Sequence, residues 1–169
     1  VVRVHAGIRG ALPAASMSPA MSDHHVTLRP ASCADAQFAC EVMERTMKRH
    51  AIATWGRWPE DEVRAAARED ACLARSQIIL VDGSQAGVLR VDSTPTHVQL
   101  EQLFLLPAYQ RKGVGEHILG LVLSQARAAG LPVRLRVLRA NAQARDFYAR
   151  HGFLVTTESG ERFFMEWAP

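Results

Sequence analysis

Hydrophobic and polar residues recur with two different periods along the chain, and the changes between them mark the predicted elements. Residues 25–32 alternate apolar and polar side chains, which predicts a half-buried strand. Over residues 35–49 the apolar side chains recur every three or four positions, which predicts a helix. Gly56 and Pro59 interrupt this pattern, and the Ala-rich segment 60–74 predicts a second helix.

The middle of the chain predicts three successive strands followed by a long helix. Two apolar runs flank the Asp-Gly pair at 82–83, which is a strong hairpin signal. A third run, 97–106, ends at Pro107, and a helix is predicted over 113–129 with Gly130 as its stop.

The last third of the chain predicts one more strand–helix unit and a closing hairpin. Residues 132–138 alternate as a strand, 141–151 form a short helix, and two apolar runs surround Gly160. The predicted order is therefore β-α-α-β-β-β-α-β-α-β-β, an α/β (α+β) domain without internal repeats.

Composition limits the size and class of the protein. The 169 residues are 48% hydrophobic, which suits one domain over 23–169. Residues 1–22 lack acidic side chains and are rich in Ala, Pro and Ser, so we expect a disordered tail. A transit segment, or a true start at Met17 or Met21, is the alternative reading of this tail.

Charge and hydropathy weigh against membrane and nucleic-acid partners. The net charge is +3, with no long Lys/Arg block and no interleaved basic and aromatic surface pattern. No apolar run approaches the roughly 18 residues that a membrane span needs. We therefore expect neither partner.

The three cysteines carry no metal or redox spacing. Cys33, Cys40 and Cys72 form no C-x-x-C pair. They are expected to be buried or free thiols in a reducing compartment, the cytoplasm, and neither a zinc site nor a disulfide framework.

The turn between the third strand of the middle series and the long helix has two interpretations. Its sequence, QRKGVG from Gln110, places two cations and two glycines at a helix start. Such a segment forms either a tight turn or a phosphate-binding site. A phosphate can bind there because the first helical N–H groups lack partners and glycine lets the phosphate approach the backbone closely. A Walker A loop and a dinucleotide fingerprint are both absent.

A second motif favours the phosphate-binding site. The pattern Q-x-x-G-x-G from Gln110, together with N-x-x-A-x-x-x-Y-x-x-x-G-F from Asn141, resembles the GNAT superfamily of acetyl-CoA-dependent N-acetyltransferases over about 25–167. The resemblance implies a mixed central sheet of about six to seven strands with about four helices. It also implies that the fourth and fifth strands, here 97–106 and 133–138, splay apart and hold pantetheine between them.

The resemblance also assigns residues to acetyl-CoA. The diphosphate is expected at the backbone amides of 111–115, and Asn141 is expected at the pantetheine arm. The full set of expected cofactor-binding residues is Leu105, Leu106, Gln110, Arg111, Lys112, Gly113, Val114, Gly115 and Asn141. A free amide at Leu105 or Leu106 is expected to stabilise the oxyanion of the reaction.

Two catalytic residues follow from the same resemblance and from strand alternation. Tyr148 is expected near the thioester sulfur as general acid, the alternative being simple packing beside Phe147. Glu101 is the expected base; regular alternation puts it on one face with Gln99 and Leu103. The alternative for Glu101 is a surface or cross-strand charge partner.

Three histidines and the TWGRWPEDE segment (54–62) complete the candidates. His97 is a weaker base candidate, and His117 and His151 are expected to be exposed on helices. Trp55 and Trp58 are expected to shape the acceptor side, in a segment similar to a loop of one poorly characterised GNAT subgroup. The alternative is that both tryptophans anchor the loop in the core.

The function expected from these residues is acetyl transfer from acetyl-CoA to a primary amine by direct attack. The alternative is a non-catalytic acyl-CoA-binding or regulatory module on the same fold. The acceptor is a small-molecule or peptide amine, no metal is expected, and a homodimer is left open beside a monomer.

Overall fold

The computed structural model describes residues 24–169, so the expected tail, 1–22, lies outside the described residues. The described part contains the predicted seven strands and four helices in the predicted order. They are β1 (Val26–Pro30), α1 (Ala36–Trp55), α2 (Glu60–Cys72), β2 (Gln77–Val81), β3 (Ser84–Ser93), β4 (Val98–Leu105), α3 (Val114–Ala129), β5 (Val133–Leu138), α4 (Ala142–Arg150), β6 (Leu154–Glu158) and β7 (Arg162–Trp167).

All seven strands form one mixed sheet. Their order is β1-β2-β3-β4-β5-β7-β6, and every neighbouring pair is antiparallel except β4 and β5. Helix α3 supplies the crossover that a parallel pair requires. The prediction of a mixed sheet of six to seven strands with four helices is confirmed.

The parallel pair opens into a gap. Strands β4 and β5 are paired only from Val98↔Val133 to Leu100↔Leu135. Beyond that point β4 continues to Leu105 and β5 to Leu138 without pairing to each other. The expected splay between the fourth and fifth strands is therefore present.

Helices cover the two faces of the sheet unequally. On one face α3 buries an apolar stripe that includes Ile118, Leu119 and Val122. On the other face α1 and α2 pack through residues such as Val42 and Ala67 against the first strands. Helix α1 continues past its predicted end at residue 49 and extends to Trp55. It ends there because Gly56 adopts a left-handed conformation.

Strand β4 contains a β-bulge at Glu101. The pairing with β3 passes from Val91↔Leu100 directly to Arg90↔Gln102, so Glu101 has no opposite residue. Leu103 consequently packs into the α3-side core, whereas Glu101 lines a cavity. The predicted common face of Glu101 and Leu103 is wrong, because one extra residue reverses the alternation that follows it.

The expectation of three thiols is also wrong. Cys33 and Cys72 form a disulfide with their Cα atoms 4.2 Å apart, and Cys40 is a free thiol. The end of α2 packs against the 3₁₀ turn Cys33–Asp35, and this contact joins two cysteines 39 positions apart. Chain spacing alone carried no sign of that contact.

Thiol titration tests the disulfide directly. Protein denatured without reductant is expected to react at one thiol per chain, Cys40, and at three after reduction, because the chain contains three cysteines. A Cys40→Ser variant is the control and should give no reaction before reduction. Three reactive thiols in unreduced wild-type protein would contradict the pairing.

The helices of residues 24–169 are all too short or too polar to cross a lipid bilayer.

Candidate active site

The gap between β4 and β5 begins at an ion pair. Arg136 donates from Nη2 to Glu101 Oε2 at 2.6 Å, one position beyond the last paired residues of the two strands. Glu101 is therefore a cross-strand charge partner, as the alternative expectation for it stated, and its role as a base stays a prediction. Because the bulge frees Glu101 from the β3 ladder, its side chain can reach β5.

A cavity of about 260 Å³ lies at this ion pair. It is lined by residues of β4, β5, β6 and β7, namely Gln99, Glu101, Arg134, Leu135, Arg136, Thr156, Phe164 and Met165. Its second cation, Arg134, donates to Glu166 at 2.6 Å across β5 and β7. The cavity thus presents polar groups whose charges are largely paired.

The turn before α3 leaves a row of backbone donors free. Gln110 Nε2 donates to the Leu105 carbonyl at 2.7 Å, which fixes the turn to the end of β4. The first helical bond runs from the His117 amide to the Gly113 carbonyl at 2.9 Å. Within residues 24–169 no group accepts a hydrogen bond from the amides of 111–116. Unpaired amides at the positive end of a helix dipole are chemically suited to an anion.

Left-handed backbone shapes this turn. Arg111 has φ 58° and Gly113 has φ 79°. Glycine adopts this conformation without a steric penalty, and for arginine it is uncommon. The conformation directs successive amides outwards instead of into the following helical turn.

Helix α4 approaches the turn closely. A Cβ atom added at Gly115 would lie 3.5 Å from Leu105 Cδ1 and 3.7 Å from Phe147 Cζ. The glycine therefore sits where the end of β4, the start of α3 and the middle of α4 meet. The structure brings together the two motifs that are far apart in sequence.

Asn141 caps helix α4. Its Oδ1 accepts from the Ala144 amide at 3.1 Å, which satisfies one of the unpaired donors at the helix start. No acceptor for its side-chain NH₂ occurs within the described residues. One end of the amide is therefore structural and the other is available to a ligand.

Tyr148 lies in an aromatic cluster. Its ring centroid is 5.2 Å from that of Phe147 and 5.5 Å from that of Phe153, both in edge-on geometry. Burial raises the pKa of its hydroxyl above the ordinary range, so the group is protonated at neutral pH. Within residues 24–169 the hydroxyl makes no hydrogen bond. The ring packs beside Phe147, as the alternative to a catalytic role expected. The hydroxyl is left without a partner among the described residues and is available to a ligand.

One expected oxyanion donor fails. The Leu106 amide donates to the Ala86 carbonyl of β3 at 2.9 Å, so the prediction of a free amide is wrong at this residue. Backbone groups alternate sides along a strand. The Leu105 amide is therefore directed away from β3, towards the gap.

The tryptophan segment lies at the end of α1. Trp55 is 39% exposed, and the Arg162 guanidinium carbon lies 5.6 Å from its ring centroid. Trp58 is half-buried. Trp55 is accordingly not a core anchor; it links α1 to the start of β7 through a cation–π contact.

The histidines differ from expectation in two ways. His117 and His151 are half-buried instead of exposed, and His151 Nδ1 lies 2.7 Å from the Phe147 carbonyl oxygen. His97 is held by Thr94 and Thr96 at the start of β4, on the closed side of the gap.

Sequence reasoning missed His50 on α1. Its Nδ1 lies 3.1 Å from the Ala140 carbonyl oxygen, next to Asn141, and its Nε2 accepts from Arg49 Nε at 3.0 Å. Burial lowers the pKa of this imidazole and favours its neutral form. The sequence signal that could have found His50 was its position eight residues after Val42, which places a polar residue on the buried stripe of the helix.

No cluster of three or more His, Cys, Asp or Glu side chains suited to a metal ion occurs within residues 24–169.

The sequence of residues 39–153 matches the family model described as the acetyltransferase (GNAT) family. The match spans more than half of the chain. The chain belongs to the GNAT family. It is accordingly an acyltransferase, and the expected family resemblance is confirmed. No curated protein matches this GNAT chain significantly in sequence.

Solved structures share the fold. A PaiA N-acetyltransferase from Thermoplasma acidophilum, in complex with coenzyme A, is 22% identical with a TM-score of 0.69, over 86% of this chain and 99% of that one. An acetyltransferase from Thermus thermophilus is 18% identical with a TM-score of 0.65, covering 85% and 97%. Ard1 from Thermoplasma volcanium is 21% identical with a TM-score of 0.61, covering 85% and 97%.

Proposed function

We propose that the chain transfers an acetyl group from acetyl-CoA to a primary amine by direct nucleophilic attack. The observation that carries the proposal is the row of unpaired amides at 111–116, placed beside the open gap between β4 and β5. The coenzyme A bound by the PaiA N-acetyltransferase of similar fold supports it.

The residues present fit coenzyme A. The amides of 111–116 supply donors for the diphosphate, and Arg111 and Lys112 add exposed positive charge. The side-chain NH₂ of Asn141 is free to donate to the pantetheine arm. Val114 is buried and is proposed to take part, with Gly115, through its backbone amide; Leu105 and Leu106, at the end of β4, complete the proposed set.

Glu101 is the proposed base. A lysine-like ammonium with a pKa of about 10.4 must lose a proton before attack, at a cost of roughly 4.6 kcal/mol at pH 7. Arg136 occupies Oε2 of Glu101, which leaves Oε1 to accept that proton directly or through a water molecule.

Tyr148 is the proposed acid. The amine nitrogen bonds to the acyl carbon, the carbon–sulfur bond breaks, and the departing sulfur takes the proton of the Tyr148 hydroxyl. The nitrogen loses its second proton as the amide forms, and that proton, passed through solvent, restores the hydroxyl. The Leu105 amide, directed towards the gap, stabilises the negative oxygen of the tetrahedral intermediate. No covalent enzyme intermediate is needed.

A thiol-release assay with acetyl-CoA against a panel of amines tests the function. The panel should include lysine and N-terminal peptides, a polyamine, an aminoglycoside and small amino acids. Amine-dependent release of CoA, with an acetylated product detected by mass spectrometry, is expected. CoA binding by calorimetry without turnover of any amine would instead indicate a non-catalytic acyl-CoA-binding module.

Replacing the base gives a pH signature. We expect Glu101→Gln to lower kcat/KM at least tenfold at pH 7, with the deficit shrinking as the pH approaches the pKa of the amine. Glu166→Gln is the matched control, since Glu166 pairs with the other arginine of the cavity. A deficit equal at pH 7 and pH 10 would contradict the role of Glu101.

Acceptor recognition and location are further parts of the proposal. Exposed Trp55, the neighbouring Trp58 and Arg162, which contacts the Trp55 ring, form one wall of the acceptor entrance. We also place the protein in the cytoplasm. Cell fractionation tests this location, and recovery of the protein outside the cytoplasmic fraction would contradict it.

A further inference from the structure

A second cavity, of about 400 Å³, lies at the mouth of the gap. Its walls come from α1, from the turn before α3 and from α4, and its lining residues are Arg45, Thr46, Arg49, Pro107, Gln110, Arg111 and Gln143. Three of these residues are arginines, and none is acidic. We call it the arginine cavity.

Among the residues that the structure describes, two of the three guanidinium groups have no counter-ion. Arg45 pairs with Glu41 at 2.9 Å along the exposed side of α1. Neither Arg49 nor Arg111 has a carboxylate partner anywhere in residues 24–169. Three cations around one cavity repel one another, and an anion between them removes that repulsion.

Arg49 is oriented by a buried group. Its Nε donates to His50 Nε2, and His50 Nδ1 in turn donates to the Ala140 carbonyl. This arrangement fixes one edge of the guanidinium and leaves its two terminal nitrogens for a ligand. Their paired geometry suits a phosphate or carboxylate.

The position of the cavity indicates which anion it meets. Gln110 and Arg111 line the arginine cavity and also belong to the turn whose amides are unpaired. The ion pair of Glu101, where transfer is proposed, lines the separate 260 Å³ cavity. An anion in the arginine cavity is therefore next to the amides of 111–116 that are proposed to bind the diphosphate. It is outside the cavity proposed for the reacting amine.

We propose that Arg45 and Arg49 bind a phosphate group of acyl-CoA from the α1 side, facing the amides of 111–116. The inference rests on the proposed function. It adds to the proposed cofactor site two residues that lie outside both sequence motifs. It makes α1 a part of the cofactor site and assigns the arginine cavity to a phosphate ester.

Calorimetry with CoA tests the assignment. We expect the Kd to rise about tenfold for Arg45→Gln or Arg49→Gln, and further for the double variant, because each removes a charge-assisted hydrogen bond. Arg68→Gln is the matched control; it replaces an exposed arginine on α2 and should change the Kd less than twofold. The effect should shrink at 0.5 M NaCl through screening.

Dephospho-CoA identifies the phosphate. If the arginines hold the 3′-phosphate, the double variant binds CoA and dephospho-CoA equally; if they hold the diphosphate, it weakens both ligands by the same factor. Either result supports the proposal.

Three outcomes would overturn it. An unchanged Kd for CoA in the double variant, with wild-type protein binding normally, refutes the arginine site and leaves the proposed function intact. A raised KM for the amine with an unchanged Kd for CoA assigns the cavity to an anionic acceptor instead. Wild-type protein that binds no CoA refutes the proposed function and the inference together.

Discussion

Replacing Tyr148 with phenylalanine is expected to lower kcat about 1000-fold and to leave the Kd for CoA within about twofold. A positioned general acid contributes roughly 10²- to 10⁴-fold, and the hydroxyl is the only group this change removes. The ring contacts with Phe147 and Phe153 are retained, so folding should be unaffected. Steady-state thiol release and calorimetry measure the two quantities.

The chain provides a control for this experiment. Tyr109 is the only other tyrosine, and it lies in the 3₁₀ turn between β4 and α3. Tyr109→Phe should keep kcat within about threefold of wild type. This result would show that a tyrosine hydroxyl near the turn is not sufficient for catalysis. A Tyr148→Phe variant that retains a tenth or more of wild-type kcat would remove this residue from the mechanism.

Introducing a carboxylate at Gly113 is expected to weaken CoA binding about 100-fold. A negative charge about 5 Å from the diphosphate costs roughly 3 kcal/mol at an effective dielectric constant near 20. The left-handed φ of 79° adds strain of about 1–2 kcal/mol for any side chain, independent of charge. Calorimetry of Gly113→Glu measures the loss of affinity, whereas the strain is present with and without CoA and lowers the stability of the fold instead.

Gly113→Ala separates charge from strain. It carries the same backbone penalty without the carboxylate, so its loss of affinity should be clearly smaller than that of Gly113→Glu. Circular dichroism should show that both variants remain folded. Equal Kd values for the two variants would mean that no phosphate approaches this amide row.

Much of the fold could be predicted from the sequence because its elements carry clean periodicity. Strong turn signals, such as the Asp-Gly pair at 82–83, separated the strands of the meander. The motifs from Gln110 and Asn141 located the turn and helix that the structure brings together around Gly115. These are local patterns, and local physical chemistry determines them.

The features that escaped prediction depend on contacts between distant segments. The bulge at Glu101 exists only in the pairing of β4 with β3, so the alternation of β4 alone could not reveal it. The Leu106 amide is taken by Ala86, and Cys33 meets Cys72, for the same reason. His50 lay on a helical stripe and was detectable as a polar residue at a buried position.

The bulge also affects how freely this enzyme can change during evolution. Val98 and Leu100 precede Glu101, and Leu103 and Leu105 follow it, and all four apolar side chains pack into one core. A side chain at position 101 can therefore be exchanged for another without repacking that core. A reacting group placed at such a position is insulated from fold stability, so new acceptor chemistry could arise there by single substitutions.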